Sequence, residues 1–353
     1  MTGGEVTTET GPVLRSRTVT LLVLAAAVAA LLLASAAPMA TAVVGLILFG
    51  LLGVVLELRY LVGRFSGLLT RPFLHLLAVL VTGVAGCRLI AGVAPGSGRL
   101  AEIVLGCAVL GVAAYHGLAG RRRVVAWAAL APVAAASLAF PSYYFLVLTH
   151  LHLLAPLLFL WDWSRRITSP RGRLAFRAVQ VLWAVVVPLA LLAGAGRSGF
   201  SADPGIVRSV VGDGHSVLAS LAPPGTSPAV AVRVLVVFAF AQSMGYVVWV
   251  ALFPRVAPDA SASFEARVPW ATPARLWAAG FVAAAVLAVL FGVDFDRGRA
   301  LYAAVASYAT YLELAVLLLL VLGGVAAPRR SGTVIRLPTD RTYATAQARR
   351  HSA

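Results

Sequence analysis

The chain has 353 residues, 60% of them hydrophobic and only 12% charged, with a formal net charge of +16. A water-soluble domain carries about a quarter charged residues, so a soluble globular fold is excluded. Its apolar runs approach twenty residues, the length that crosses a hydrocarbon core of roughly 30 Å at about 1.5 Å per residue, whereas the alternating segments of a β-barrel are absent. The expected fold is therefore all-α: a polytopic transmembrane bundle whose main partner is the lipid bilayer.

The 29 basic residues are all arginine, scattered over many short segments. That pattern argues against nucleic acid as a partner and fits loops that meet anionic headgroups. Abundant Ala, Gly, Val and Arg suggest a GC-rich bacterial genome. The expected location is the bacterial inner (cytoplasmic) membrane, crossed many times.

In chain order, residues 1–17 lack apolar periodicity and read as a disordered tail. The membrane domain is expected over 18–326, and a disordered basic tail over 327–353. Ten spans are expected, near 19–37, 39–56, 73–93, 101–119, 124–140, 142–161, 174–195, 230–253, 273–293 and 300–325. The first, within "RSRTVTLLVLAAAVAALLLASAAP", also has the layout of a signal peptide. A second span follows at once after Pro38, which favours a helical hairpin, and both readings stay open. With the N-terminus inside, 21 arginines fall on cytoplasmic segments and five on outer loops. This bias predicts both termini in the cytoplasm.

Spans three and four carry Cys87 and Cys107, which read as small apolar fillers. They also carry Arg88, whose nearest expected partner is Glu102. His75, His116 and Glu57 are expected near cytoplasmic helix ends, where they snorkel or meet headgroups. "WDW" at 161–163 reads as an interfacial aromatic anchor. The outer segment 196–229 is rich in Gly, Pro and Ser, with room for one short surface helix. Its "GDGHS" lacks the oxyanion and nucleophile arrangement of a hydrolase.

Polar groups deep in three spans carry the functional expectation. Span six, "SYYFLVLTHLHLLAPLLFLWDW", holds His150 about 12 Å from the outer end of its helix and His152 about 3 Å deeper. Such groups face a bundle interior or a water-filled cavity. Residues two apart on a helix point about 200° apart, so a regular helix cannot aim both at one ion. Pro156 loosens the backbone at the carbonyl of His152. Span eight places Phe238, Gln242, Tyr246, Trp249 and Phe253 along one face. Span ten carries Tyr308, Tyr311 and Glu313. The composite expectation is one buried polar site. His150, Glu313, Tyr308 and Tyr311 are its catalytic candidates. Gln242, Tyr246 and Trp249 are the substrate-binding candidates, and His150 with His152 the metal candidates. A metal or a haem would suit such imidazoles. Equally, the same groups could be hydrogen-bonding glue between helices.

These three segments resemble the motifs of an uncharacterised family of bacterial polytopic proteins. Those motifs are Thr-His-x-His, then Gln-x-x-His-Tyr followed by Trp, then His-x-Tyr-Leu-Glu. Thr149, His150 and His152 match the first, Gln242, Tyr246 and Trp249 the second, and Tyr311, Leu312 and Glu313 the third. Gly245 and Ala309 stand where the family pattern has histidines. The resemblance implies a histidine-lined site within the membrane, with two of its ligands missing here. Three readings stay open: a membrane-embedded enzyme or cofactor protein acting on an apolar small molecule, a proton-coupled transporter or channel, and a non-catalytic membrane scaffold.

Overall fold

The computed structural model describes residues 16–195 and 200–323. The tails expected at 1–17 and 327–353 lie outside these residues, except that Ser16 and Arg17 already belong to the first helix. Regular structure among the described residues is entirely helical. Among the described residues, ten helices are long and apolar enough to cross a membrane. They are α1 (Ser16–Ala36), α2 (Pro38–Arg64), α3 (Arg71–Ile90), α4 (Pro95–Gly117), α5 (Gly120–Ala139), α6 (Pro141–Ser164), α7 (Pro170–Ala193), α8 (Pro228–Val256), α9 (Pro273–Val293) and α10 (Phe295–Gly323). The chain is a multi-pass integral membrane protein.

Local chemistry sets the boundaries. Helices α2, α4, α6, α7, α8 and α9 each begin on a proline. The first turn tolerates proline because its amide would have no helical partner there. Inside a helix the missing amide acts differently. Five residues of α7, Leu182–Val186, and six of α8, Val247–Leu252, are wound as π-helix just before Pro188 and Pro254. Each proline removes one donor from the ladder, and the preceding turn widens to re-pair its carbonyls. Pro156 has a milder effect: α6 stays α-helical throughout.

Helix α2 is the central post. It packs on α1, α8, α9 and α10 and on a short helix, Pro258–Arg267. At 27 residues it runs about 40 Å, well beyond the hydrocarbon core. This corrects the expected end of that span near residue 56: Glu57 lies inside the bundle rather than at a helix end. Helix α10 packs on α2, α3, α4 and α6, and α8 on α6. Helix α1 presents Val19, Val23, Ala27, Ala30 and Ala34 to the bundle, a helical 4-4-3-4 spacing.

The arginine-rich end is stapled by ion pairs. The Pro258–Arg267 helix lies so close to α2 that the Ala260 carbonyl oxygen occupies the space a Cβ on Gly63 would need. Glu265 accepts from Arg59. Arg267 donates to the carbonyls of Ser66 and Leu69. Arg166 grips both carboxylate oxygens of Asp259 at 2.8 Å. Asp162 and Trp163 of the "WDW" stretch belong to this network. Asp162 accepts from Arg64 at 2.9 Å, and the buried Trp163 donates to the Val256 carbonyl at 3.0 Å. Only Trp161 stays partly exposed, with Arg177 over its ring at 4.5 Å. At the opposite end, Arg233 reaches a terminal carbonyl of α7, that of Leu192, at 3.0 Å. There the helix His215–Leu221 buries Val217 and Leu221 against the bundle.

Candidate functional site

Helices α2, α6, α8 and α10 line a partly open cavity of about 290 Å³. It starts beneath the His215–Leu221 helix, where Val217, Ser220 and Leu221 line it together with Arg299 of α10. It extends inward to Glu57 and His152. Its walls are mostly apolar, with Leu46, Val54, Phe238 and Trp249 prominent. Small residues of α2 let the tyrosine rings of the wall pack closely. Gly50 stands so close to Tyr302 that a Cβ would come within 2.8 Å of the ring, and a Cβ on Gly45 within 3.1 Å of Tyr246. Gly53 and Glu57, four residues apart, share the face that looks into the cavity.

Beyond Trp249 the path is blocked by packed rings. Tyr60 stacks on Phe253 at 4.1 Å between centroids and meets Trp249 at 5.6 Å. Phe159 closes against both Tyr60 and Trp249. The arginine-rich end of the bundle is thus sealed from the cavity by aromatic side chains.

Three titratable residues converge at the inner end. His152 Nδ1 lies 2.6 Å from Glu313 Oε2. One donor atom from each of Glu57, His152 and Glu313 lies within 4.8 Å of the other two. Both carboxylates are essentially inaccessible, Glu57 at 1% exposure and Glu313 at 0%. The Oε1 atom of each has no hydrogen-bond partner. A buried carboxylate oxygen without a partner is costly, so this cluster is incomplete as a purely structural device. The arrangement can hold a proton between its members or coordinate a cation.

The residues singled out in the sequence are distributed over several places. His152, Gln242, Tyr246 and Trp249 line the cavity, and Glu313 sits beside it, against His152. Gln242 donates to the Ala42 carbonyl at 3.1 Å and to Tyr246 Oη at 2.6 Å, while its own Oε1 is unpartnered. His150 is not brought to the cluster. Its Nδ1 meets the Leu146 carbonyl at 2.9 Å, and its ring stands edge-on to Phe238 at 6.2 Å. The 200° separation along α6 sends the two imidazoles to different partners. Tyr308 faces α3, with its hydroxyl 2.8 Å from Thr82 Oγ1.

Tyr311 belongs to a second polar network. Arg88 donates to Glu102 at 2.8 Å and to the Ala303 carbonyl at 2.7 Å. Tyr311 donates to the same Glu102 oxygen at 2.9 Å, and Tyr144 Oη lies 2.8 Å from Tyr311 Oη. The Arg88–Glu102 pairing expected from the sequence is present, and it ties α3, α4, α6 and α10 together. Gly106 makes room for it, since a Cβ there would come within 2.5 Å of Tyr144 Oη.

Glu57 is the residue that sequence reasoning missed. The usable signal was its own face of α2: Gly50, Gly53 and Glu57 follow a 3-4 spacing, with small residues leading to one carboxylate. The outer-loop "GDGHS" is accounted for locally, because Asp213 accepts from the His215 amide at 2.9 Å. Comparison of the chain with family models, with curated proteins and with solved structures finds no match.

Proposed function

We propose that this protein is a membrane-embedded enzyme or cofactor protein that takes an apolar small molecule, such as an isoprenoid or a quinone, into its cavity. The observation that carries the reading is an apolar-walled chamber ending on Glu57 and His152, with Glu313 bonded to His152 behind it. A chamber of this size and lining suits a small lipid-soluble molecule held by a few convergent polar groups. In this reading His152 acts as the proton acceptor, with Glu313 orienting its ring. Glu57 supplies or receives the second proton, and Gln242 and Tyr246 position the ligand. Two buried carboxylate oxygens without partners, on Glu57 of the cavity wall and on Glu313 behind His152, weigh against a pure scaffold. The arginine bias supports a bacterial inner-membrane location with both termini in the cytoplasm.

The resemblance to the family with the Thr-His-x-His motif supports the same reading in part, since its histidine-lined site falls on α6, α8 and α10. Gly245, where that family has a histidine, lines the cavity and has open space around its Cβ position. A Gly245→Leu variant should therefore fill the chamber without a clash. Lipid extracts of the purified wild type, analysed by mass spectrometry, should contain a bound apolar compound that the variant lacks. Identical extracts from the two proteins would refute the reading.

A proton-coupled transporter is the second reading. It is favoured by the packed aromatic rings beyond Trp249, which stand between the cavity and the arginine-rich end. Proton-linked uptake into vesicles, abolished in Glu313→Gln, would select it over the enzyme.

A further inference from the structure

We infer that Glu57, His152 and Glu313 form a binding site for one divalent transition-metal ion. The inference deepens the enzyme reading above and rests on it for its purpose, but with an ion bound Glu57, His152 and Glu313 serve as its ligands in place of the proton-transfer roles given there. Three potential ligands from three helices, α2, α6 and α10, present donor atoms within 4.8 Å of one another. Donors around a zinc-sized ion sit about 2.0–2.2 Å from the metal, which puts them roughly 3–4.4 Å from each other. The upper end of that range holds only for donors opposite each other, so the three side chains would draw together to take up the ion.

Three further observations point to a ligand rather than to self-contained hydrogen bonding. The first is the pair of unpartnered oxygens, Glu57 Oε1 and Glu313 Oε1, both on carboxylates that are at least 99% buried. The second is charge. Two deprotonated carboxylates and a neutral imidazole would carry −2, which a divalent cation would cancel within a medium that does not tolerate net charge. The third is access. Glu57 and His152 line the cavity, so an ion held there would keep open coordination positions facing a bound molecule, as catalytic rather than structural metal sites do.

The ligand set selects the ion class. An imidazole with two carboxylates suits zinc, iron or manganese, whereas the all-oxygen sets of calcium and magnesium do not include histidine. No thiolate takes part, since Cys87 and Cys107 are not among the three ligands. His150 is likewise outside the set, turned to the Leu146 carbonyl.

The test uses the full chain in detergent, stripped with a chelator and titrated with Co²⁺ as an optically visible probe. The expected result is one equivalent bound, with d–d absorption of a nitrogen–oxygen site and competition by Zn²⁺. Glu57→Gln and His152→Gln should each weaken binding by about 100-fold or more, beyond what is typical for groups that merely orient a ligand. His215→Gln, on the exposed outer helix, should leave it unchanged. Failure of the folded wild type to bind one equivalent overturns the site whatever the variants do. So does undiminished binding in both folded variants. Apolar compounds retained by metal-free protein, with no Co²⁺ uptake, would sink the metal site and leave the enzyme reading standing. Stoichiometric Co²⁺ uptake by a protein that retains no apolar compound would do the reverse.

Discussion

Glu102 and Glu313 are both buried in the same bundle, at 2% and 0% exposure, yet their surroundings differ in kind. Glu102 receives hydrogen bonds from Arg88 and Tyr311, and Tyr144 completes the chain. None of these four residues has a buried polar atom left without a partner. Glu313 has His152 and, within reach, a second carboxylate, and two oxygens remain unmatched. Both clusters were drawn from the same few polar residues that an apolar chain can carry. A satisfied network holds helices together, even where one member, Arg88, also reaches the cavity wall. An unsatisfied one costs stability unless something fills it, so its persistence points to use.

The comparison breaks most sharply at Arg88. Removing one member of a buried, hydrogen-bonded ion pair leaves the other charge stranded, at a cost of about 3–5 kcal/mol. Arg88→Met should destabilise the detergent-solubilised protein by that order, read from denaturant or thermal unfolding. Replacing both partners, Arg88→Met with Glu102→Met, should recover most of the loss. If the single variant is as stable as the wild type, the network is not the staple described here.

Next in size is the hydroxyl that joins the two ends of this network. Tyr311→Phe deletes the donor to Glu102 and strands Tyr144, which costs about 1–3 kcal/mol. Gly106→Ala should act in the same range by steric means, because its Cβ would intrude on both tyrosines. Both variants should unfold earlier in the same assay.

The unsatisfied cluster predicts the opposite sign. In chelator-treated protein Glu57→Gln removes a buried acid with an unmatched oxygen and relieves part of its desolvation. Stability should hold or rise by about 1 kcal/mol. A loss like that of Arg88→Met would mean that Glu57 is a structural partner after all, and the contrast between the two clusters would fail.

The sequence exposes this contrast only in part. Ten spans, the Arg88–Glu102 pairing and the polar faces of α8 and α10 follow from hydropathy, helical spacing and the cost of buried charge. The 200° between His150 and His152 already implied different partners. Which of the two meets Glu313 depends on how α6 is rotated against its neighbours, and packing decides that rotation. Tyr308 and Tyr311 look like site residues because they flank Glu313 in the chain. Three residues along a helix turn the side chain by about 300°, and two by about 200°, so each meets a different neighbour. Glu57 was hidden by the length of α2. Leu58, Tyr60, Leu61 and Val62 continue the apolar run past it, but Arg59 beside it reads as the end of a span. Arg59 instead turns to Glu265 on the Pro258–Arg267 helix, a partner 206 residues away.

The smallest effect is expected where water can compete, at the arginine-rich end. Arg166 holds Asp259 through two hydrogen bonds, and this pairing sets the Asp259 carboxyl below the usual aspartate range. A depressed acid contributes stability that is fully present above its unfolded value, about 3.9, and is lost as pH falls through the lower folded value. The wild type should therefore lose this increment only on acidification below about pH 4. Asp259→Asn should lack it at neutral pH. With the Asp259 side chain 54% exposed, the increment is less than about 1 kcal/mol. Unfolding midpoints of the two proteins, followed from pH 6 to pH 3, should converge as the pH falls. A difference of several kcal/mol at neutral pH would place this exposed pair in the same class as Arg88–Glu102. Exposure to water would then fail to separate the two pairs.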